Sequence, residues 1–467
     1  MPALQSDSTH LETLSSEVSF KEIWKLAWPI MVLEALAAVN QLLDSLFVGS
    51  LETSALTALG ASYMIVFLIV GFSMSAGISA IALASRFYGQ NDTVKYQKAS
   101  RQVNTISFVT GLVLATIGLL TREKLAIYLL PDHNLEAIAQ MKTYLTYCYL
   151  GLPAALAAKA IAGALVGTGD SKSPMIISGS LIIVHAILNC VLIPQQSFQF
   201  FSFKLPSLGL GIQGAGMASF LTFSIMLIAY LIYSSKTAIG SCLKFEKPEI
   251  KWVNMFYKQS VPSAFTWIIR IMSIAGLLKL VSDMDHGSEI IAGTRVGFSI
   301  ESLIFVSTIG FAAAASTITG QSLGMNNPER AKKSVWKTAH LASGILLIMS
   351  IFMFIYAERL SYLLVPNKEL VIKESTLFLK YLAVTEVLTG YGLVLTAAMQ
   401  GAGDAARSMR TQIIYFILPR IPIALLCIQL FSNQPIWCWF AIAVSQATLG
   451  IAAIYVFRQE KWKLAKL

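Results

Sequence analysis

Long apolar stretches recur along this chain at regular spacing. Twelve of them lie at about 23–48, 59–84, 103–120, 139–166, 174–194, 214–234, 261–282, 289–319, 338–357, 376–399, 411–431 and 436–457. Each runs for roughly 20 residues, the length a helix needs to cross bilayer hydrocarbon. Within each run the apolar residues are continuous instead of alternating, which predicts spanning helices and excludes a β-barrel. The runs at 59–84, 139–166 and 289–319 are longer than a bilayer requires, so tilt or an extra interfacial turn is expected there. The fold class expected is therefore an all-α polytopic membrane protein with twelve transmembrane helices.

Composition strengthens this picture. Of 467 residues, 55% are hydrophobic and 13% charged, against about 25% charged in a soluble domain, and the mean hydropathy is +0.66. The net charge of +10 would suggest nucleic acid in a soluble protein. Here its distribution gives another reading. The tails and the loops after even-numbered spans hold twenty-two Lys and Arg, and the opposite loops hold six. That bias places both termini in the cytoplasm of a multi-pass inner (plasma) membrane protein, with lipid and no nucleic acid as partner. The five cysteines are scattered, with no metal spacing, so neither a disulfide framework nor a metal site is expected. Residues 1–22 lack the basic-then-apolar order of a signal peptide and read as a disordered cytoplasmic tail.

The two halves repeat. Pro29 matches Pro262, 233 residues on, and Gly89 matches Gly324, 235 on. Pro131 matches Pro366 at 235, and Gly169-Asp170 matches Gly403-Asp404 at 234. Four landmarks in one order at nearly one offset mark a duplicated unit. Each half has six spans, so both enter the membrane the same way, as in parallel-repeat transporters. The expected division is an N-lobe at 23–235, a cytoplasmic inter-lobe loop at 236–260, a C-lobe at 261–457 and a tail at 458–467. Two pseudo-symmetric six-helix lobes point to a carrier more than to a channel or an enzyme.

Four stretches then resemble a known family: LAWPIMVLEALAAVNQLLDSLFVGSLETSALTALG in span one, ALVGTGDSKSPMI after span four, LGIQGAGMASF entering span six, and TITGQSLGMNNPERA after span eight. Together they are similar to the multidrug and toxic compound extrusion (MATE) family of bacterial type, over about residues 20 to 457. The resemblance implies two six-helix lobes, a V-shaped cleft, and export of amphipathic, mostly cationic organic compounds in exchange for protons or sodium ions.

Charges at membrane depth need a reason, because each costs roughly 2.5–3.5 kcal/mol on insertion scales. Span one carries Glu34 and Asp44, and Asn40 shares a helix face with Asp44 at i, i+4. Asp44 has no basic neighbour in sequence, and a solitary carboxylate in hydrocarbon favours binding a proton. The resemblance puts the family's span-one Asp at the same position. Span five places His185 and Asn189 on one face, where family members often carry Asn and Asp. Losing that carboxylate disfavours sodium, a hard cation that wants charged oxygen ligands. A histidine facing Asp44 is suited to relaying a proton. The cation-coupling set is thus Asp44, Asn40, His185 and Asn189, with H+ expected over Na+ and no cofactor.

In the second half, Arg270 occupies the span-seven position where some family branches carry a functional Glu, which removes that mechanism here. Glu301, Glu386 and Arg270 itself are the second-lobe candidates. The simplest expectation is that Arg270 and Arg420 pair with these two glutamates. Glu34, Tyr63, Met64, Phe67 and Met272 are candidates for a cleft that accepts varied planar cations.

The function expected is secondary active antiport by a monomer: multidrug efflux driven by protons, with no enzymatic chemistry. A sodium-coupled exporter is one alternative. A flippase for lipid-linked precursors, on a related two-lobed fold, is another. A polytopic enzyme is disfavoured by the lack of a His-box or HExxH motif. A major-facilitator carrier is disfavoured because FYGQNDTVKYQKA lacks that family's basic loop motif.

Overall fold

A computed structural model describes residues 17–49, 51–130, 134–194, 198–200, 203–205 and 207–465. Twelve long helices run in chain order. The first half holds α1 (Phe20–Gly49), α2 (Thr53–Gly89), α3 (Thr93–Leu129), α4 (Leu135–Gly167), α5 (Lys172–Leu192) and α6 (Gly211–Ser234). The second holds α7 (Ile250–Ser282), α8 (Gly287–Gly324), α9 (Pro328–Leu364), α10 (Glu369–Gly401), α11 (Ala405–Leu430) and α12 (Ile436–Arg458). Among the described residues, eleven of these helices are long and apolar enough to cross a membrane. The expected all-α fold stands. A small antiparallel hairpin of β1 (Phe198–Phe200) and β2 (Phe203–Leu205), with Gln199 opposite Lys204, is the strand content of the described residues.

The duplicated landmarks are built the same way. Gly169 and Gly403 both take positive φ, 99° and 93°, a conformation that suits glycine at a helix end. The next residues cap the following helices: Asp170 accepts from the Ser173 amide at 3.0 Å, and Asp404 from the Arg407 amide at 3.2 Å. Likewise Asn91 and Asn326 are left-handed, at φ 54° and 56°, before the caps Asp92 and Asn327. Pro131, the other landmark of the first half, lies outside the described residues.

The chain divides into two compact units that do not follow the sequence halves simply. The first comprises Val32–Phe87 and Asp92–Ile268; the second comprises Met1–Met31, Tyr88–Asn91 and Ile269–Leu467. So the opening turns of α1 belong to the second unit, where Ile23 and Ala27 join the core with Phe311 and Ala314. The opening turns of α7 belong to the first, where Trp252 meets Phe87 edge-on at 5.4 Å. The switch falls just beyond Pro29 in α1 and beyond Pro262 in α7, each inside its helix.

In the first unit α4 is the hub, packed on α3 and α6. A Cβ at Gly163 would meet the Gly77 carbonyl oxygen at 2.3 Å, so only glycine lets α4 approach α2 this closely. In the second unit α10 is the hub, against α8, α9 and α12. A Cβ at Gly401 would meet the Ser316 carbonyl oxygen at 2.1 Å. Around Pro419, α11 departs from α-helical geometry: a π turn over Ile413–Ile417 precedes regular helix from Arg420.

The segments read from sequence as loop and tails are fastened where they are described. Residues 1–16 of the expected N-terminal tail lie outside the described residues. Glu17 bonds Lys333 and Lys337 at 2.7 and 3.0 Å, Val18 is buried, and α1 starts at Phe20. The inter-lobe loop ends at Ile250 and lies along α3. Arg101 meets Glu246 at 3.1 Å, Lys98 meets Glu249 at 2.6 Å, and Asn104 donates to the buried Cys242 carbonyl. Burial pushes the Cys242 thiol up to about 11. After α12, Trp462 is fully buried and stacks on Phe457 at 4.7 Å; residues 466 and 467 lie outside the described residues.

Candidate functional site

The four polar residues singled out in spans one and five converge within the first unit. On α1, Asn40 and Asp44 share a face, and Asn40 Nδ2 donates to Asp44 Oδ2 at 3.1 Å. On α5, Asn189 Nδ2 donates to Asp44 Oδ1 at 2.6 Å, and His185 Nε2 lies 3.4 Å from the same oxygen. The Asp44 side chain is 38% exposed and that of His185 12%. Asp44 is therefore not solitary, as its sequence neighbours suggested; its basic neighbour comes from 141 residues away. Glu34 is ten residues earlier on α1, about 15 Å along the axis, and half-buried.

Thr222 of α6, which no motif singled out, completes the cluster. Its Oγ1 donates to the Ala218 carbonyl at 2.7 Å and lies 3.1 Å from His185 Nδ1. With its own hydrogen committed to Ala218, the hydroxyl can only accept from the ring, so Nδ1 carries a hydrogen. A neutral ring of that tautomer would turn the Nε2 lone pair toward the Asp44 carboxylate, lone pair against lone pair. One further proton removes the conflict, either on Nε2 as an imidazolium or on Asp44 as an acid donating to Nε2. The only signal in sequence was a polar residue inside an apolar run. The amide oxygens of Asn40 and Asn189 are buried with no hydrogen-bond donor in reach among the described residues.

The second unit carries a separate buried polar cluster. Glu301 of α8 and Glu386 of α10 are 8% and 1% exposed, and their carboxyls lie within hydrogen-bonding reach of each other. Gln446 of α12 donates to Glu301 Oε1 at 3.3 Å and accepts from Thr385 at 2.8 Å. The expected pairing of Arg420 with a glutamate is not what forms. Arg420 donates to Ser445 Oγ at 2.8 Å and stacks over the Phe416 ring at 4.1 Å. Arg270 donates to Gln412 Oε1 at 3.1 Å and lies 5.1 Å above the same ring. Both guanidiniums feel Glu301 through space, and no ion pair within 4.0 Å joins Arg420 to a glutamate among the described residues. The physical reason is geometric: the π turn carries Phe416 under both guanidiniums, and an aromatic face satisfies a desolvated cation.

Of the cleft candidates, Tyr63 and Phe67 pack together on α2 with ring centroids 5.0 Å apart. Tyr63 and Met64 are about half exposed, as is Met272 in the other unit. Lys279, near the end of α7, reaches Asp283 at 2.6 Å.

The family model described as MatE matches the chain twice, over residues 29–191 and 262–426. The chain belongs to the MatE family. The two matches coincide with the duplicated halves, as expected if each repeat is one copy of the family's unit. Relatives of this MatE chain include the probable multidrug resistance protein NorM of Thermotoga maritima, 21% identical over 95% of this chain and 93% of that protein. The FAD transporter of Shewanella oneidensis is 20% identical over 89% of each. A solved outward-facing multidrug resistance MATE transporter superposes with a TM-score of 0.83, at 19% identity, covering 96% of this chain and 97% of that one. The fold is thus that of the MATE transporters, and this MatE chain is a multi-pass membrane protein.

Proposed function

We propose that this MatE protein exports amphipathic organic compounds across the plasma membrane, as a monomer, and exchanges them for protons taken up between Asp44 and His185. The relatives' multidrug names support the cargo class. The Thr222-fixed tautomer of His185 supports the ion: it leaves room at Asp44 for one proton and no more. Proton binding changes which donors Asp44 needs. A protonated carboxyl gives up one acceptor, so Asn189 or Asn40 loses its partner and α1 and α5 loosen. Only a difference in proton affinity between outward- and inward-facing states drives the exchange. Glu301 and Glu386 are a second place where a proton would be shared, since two carboxylates in contact are acceptors only.

Sodium coupling is the second reading, favoured by the two orphaned amide oxygens beside Asp44, which are suitable ligands for a hard cation. Efflux from proteoliposomes under an imposed proton gradient or an imposed sodium gradient separates the two. Proton coupling expects efflux with the pH gradient alone and its loss in Asp44→Asn, with the protein still monodisperse. Efflux with the sodium gradient alone would replace the proton by sodium. Full coupled activity in Asp44→Asn would remove Asp44 from the mechanism.

A further inference from the structure

An exposed patch in the second unit is unrelated to either buried cluster. Trp336 and His340 are one turn apart on α9, their rings stacked with centroids 5.7 Å apart. His340 Nδ1 lies 2.6 Å from the Tyr391 hydroxyl of α10. Arg458, the last residue of α12, holds its guanidinium 5.7 Å over the Trp336 ring. His340 and Arg458 are both exposed.

Four of the lysines around this patch are neutralised by glutamates. Lys332 pairs with Glu460, Lys333 and Lys337 pair with Glu17, and Lys463 pairs with Glu329 and Glu460. Arg458 rests on an aromatic ring, with no carboxylate in ion-pair range among the described residues. Its planar fork of donors is left for an outside acceptor. In the tautomer where Tyr391 donates to Nδ1, His340 presents a second donor at Nε2.

An apolar strip leads away from the patch. Gly344, Leu347, Ile351 and Ile355 follow His340 on one face of α9, over about 22 Å at 1.5 Å per residue. Gly344 has nothing within 4 Å of where a Cβ would sit, and the other three are 48%, 53% and 65% exposed. A notch floored by glycine, an apolar strip, and a cation at its end match the shape and charge of one amphiphile. We propose that Trp336, His340, Tyr391 and Arg458 form a headgroup seat for an anionic phospholipid, whose phosphate Arg458 holds while an acyl chain lies along α9. The basic bias at this end of the helices turns the seat toward the membrane face that carries anionic lipid.

The test uses the whole transporter in phosphatidylcholine vesicles, titrated with brominated phosphatidylglycerol or, at equal bromine content, brominated phosphatidylcholine. The readout is quenching of the Trp336 signal, obtained by difference from Trp336→Phe. The expected result is about fivefold tighter apparent binding of phosphatidylglycerol. Arg458→Gln should abolish this preference, Arg458→Lys should keep it, and inorganic phosphate should leave it unchanged. Equal quenching by the two lipids overturns the proposal. So does a preference that survives Arg458→Gln, or one that inorganic phosphate removes, which would mark a free-anion site instead. If Arg458→Gln fails to fold, His340→Gln decides: an undiminished preference there also counts against the seat.

Discussion

Thr222→Val tests the proton site through a residue that touches neither cargo nor ion. Thr222 is 6% exposed, and valine fills the same volume without the hydroxyl. His185 Nδ1–H, 3.1 Å from Oγ1, then loses its acceptor in a site that is 12% exposed on the histidine side. A neutral hydrogen bond is worth about 0.5–1.5 kcal/mol, and one to a charged group about 1.5–3 kcal/mol. The substitution therefore penalises the imidazolium more than the neutral ring, by about 1–1.5 kcal/mol. At 1.36 kcal/mol per pH unit this is about one unit. Because the protonated form is the one weakened, the pH profile of dye efflux in proteoliposomes should move acid by about one unit, with the maximal rate kept. Thr222→Ser retains the acceptor and should track the parent protein. Superimposable profiles for the parent and Thr222→Val, with a displaced profile in His185→Ala, would refute the tautomer argument while leaving His185 involved.

Glu386→Gln should raise thermal stability: neither buried oxygen has a donor in reach among the described residues, and an amide supplies two toward Glu301. A gain of about 1–3 kcal/mol amounts to a few degrees in a thermal-shift assay; a lower melting temperature would mean the carboxylate is already satisfied. Gly163→Val drives a side chain into the Gly77 carbonyl, where even a Cβ sits at 2.3 Å. It should cost more than the about 1–3 kcal/mol of ordinary overpacking, seen as loss of the monodisperse peak, whereas Gly344→Ala, in open space, should leave that peak intact. Hydrogen bonds from Lys332 and Lys463, reinforced by their charge, hold Glu460 down at about 2. A depressed acid stabilises the fold above its unfolded value and loses that contribution as pH falls toward 2. Trp462, buried beside it, should thus become quencher-accessible between about pH 4.5 and 2, and Glu460→Gln should show the same access already at pH 7. A Glu460→Gln protein with Trp462 still shielded at pH 7 would show that stacking on Phe457 suffices.

Much of this protein is written locally. Spanning helices follow from runs of apolar residues, because in hydrocarbon each backbone group must bond within its own segment. The turns at Gly169 and Gly403 and the caps Asp170 and Asp404 are equally local, so the repeat and its corners could be read residue by residue. The conjunction of Asn40 with Asp44, and of His185 with Asn189, follows from helical spacing alone. What brings these two faces together is the packing of α1 beside α5, and Thr222 enters only because α6 packs there as well. Partner choice in the second unit was beyond sequence for a related reason. Charge alone pairs Arg420 with a glutamate, but the π turn over Ile413–Ile417 sets Phe416 beneath it, and burial lets the nearest polarisable face win. The exchange of opening helical turns between the two units also escaped the sequence, because hydropathy records that a residue leaves water and not which neighbour it then meets.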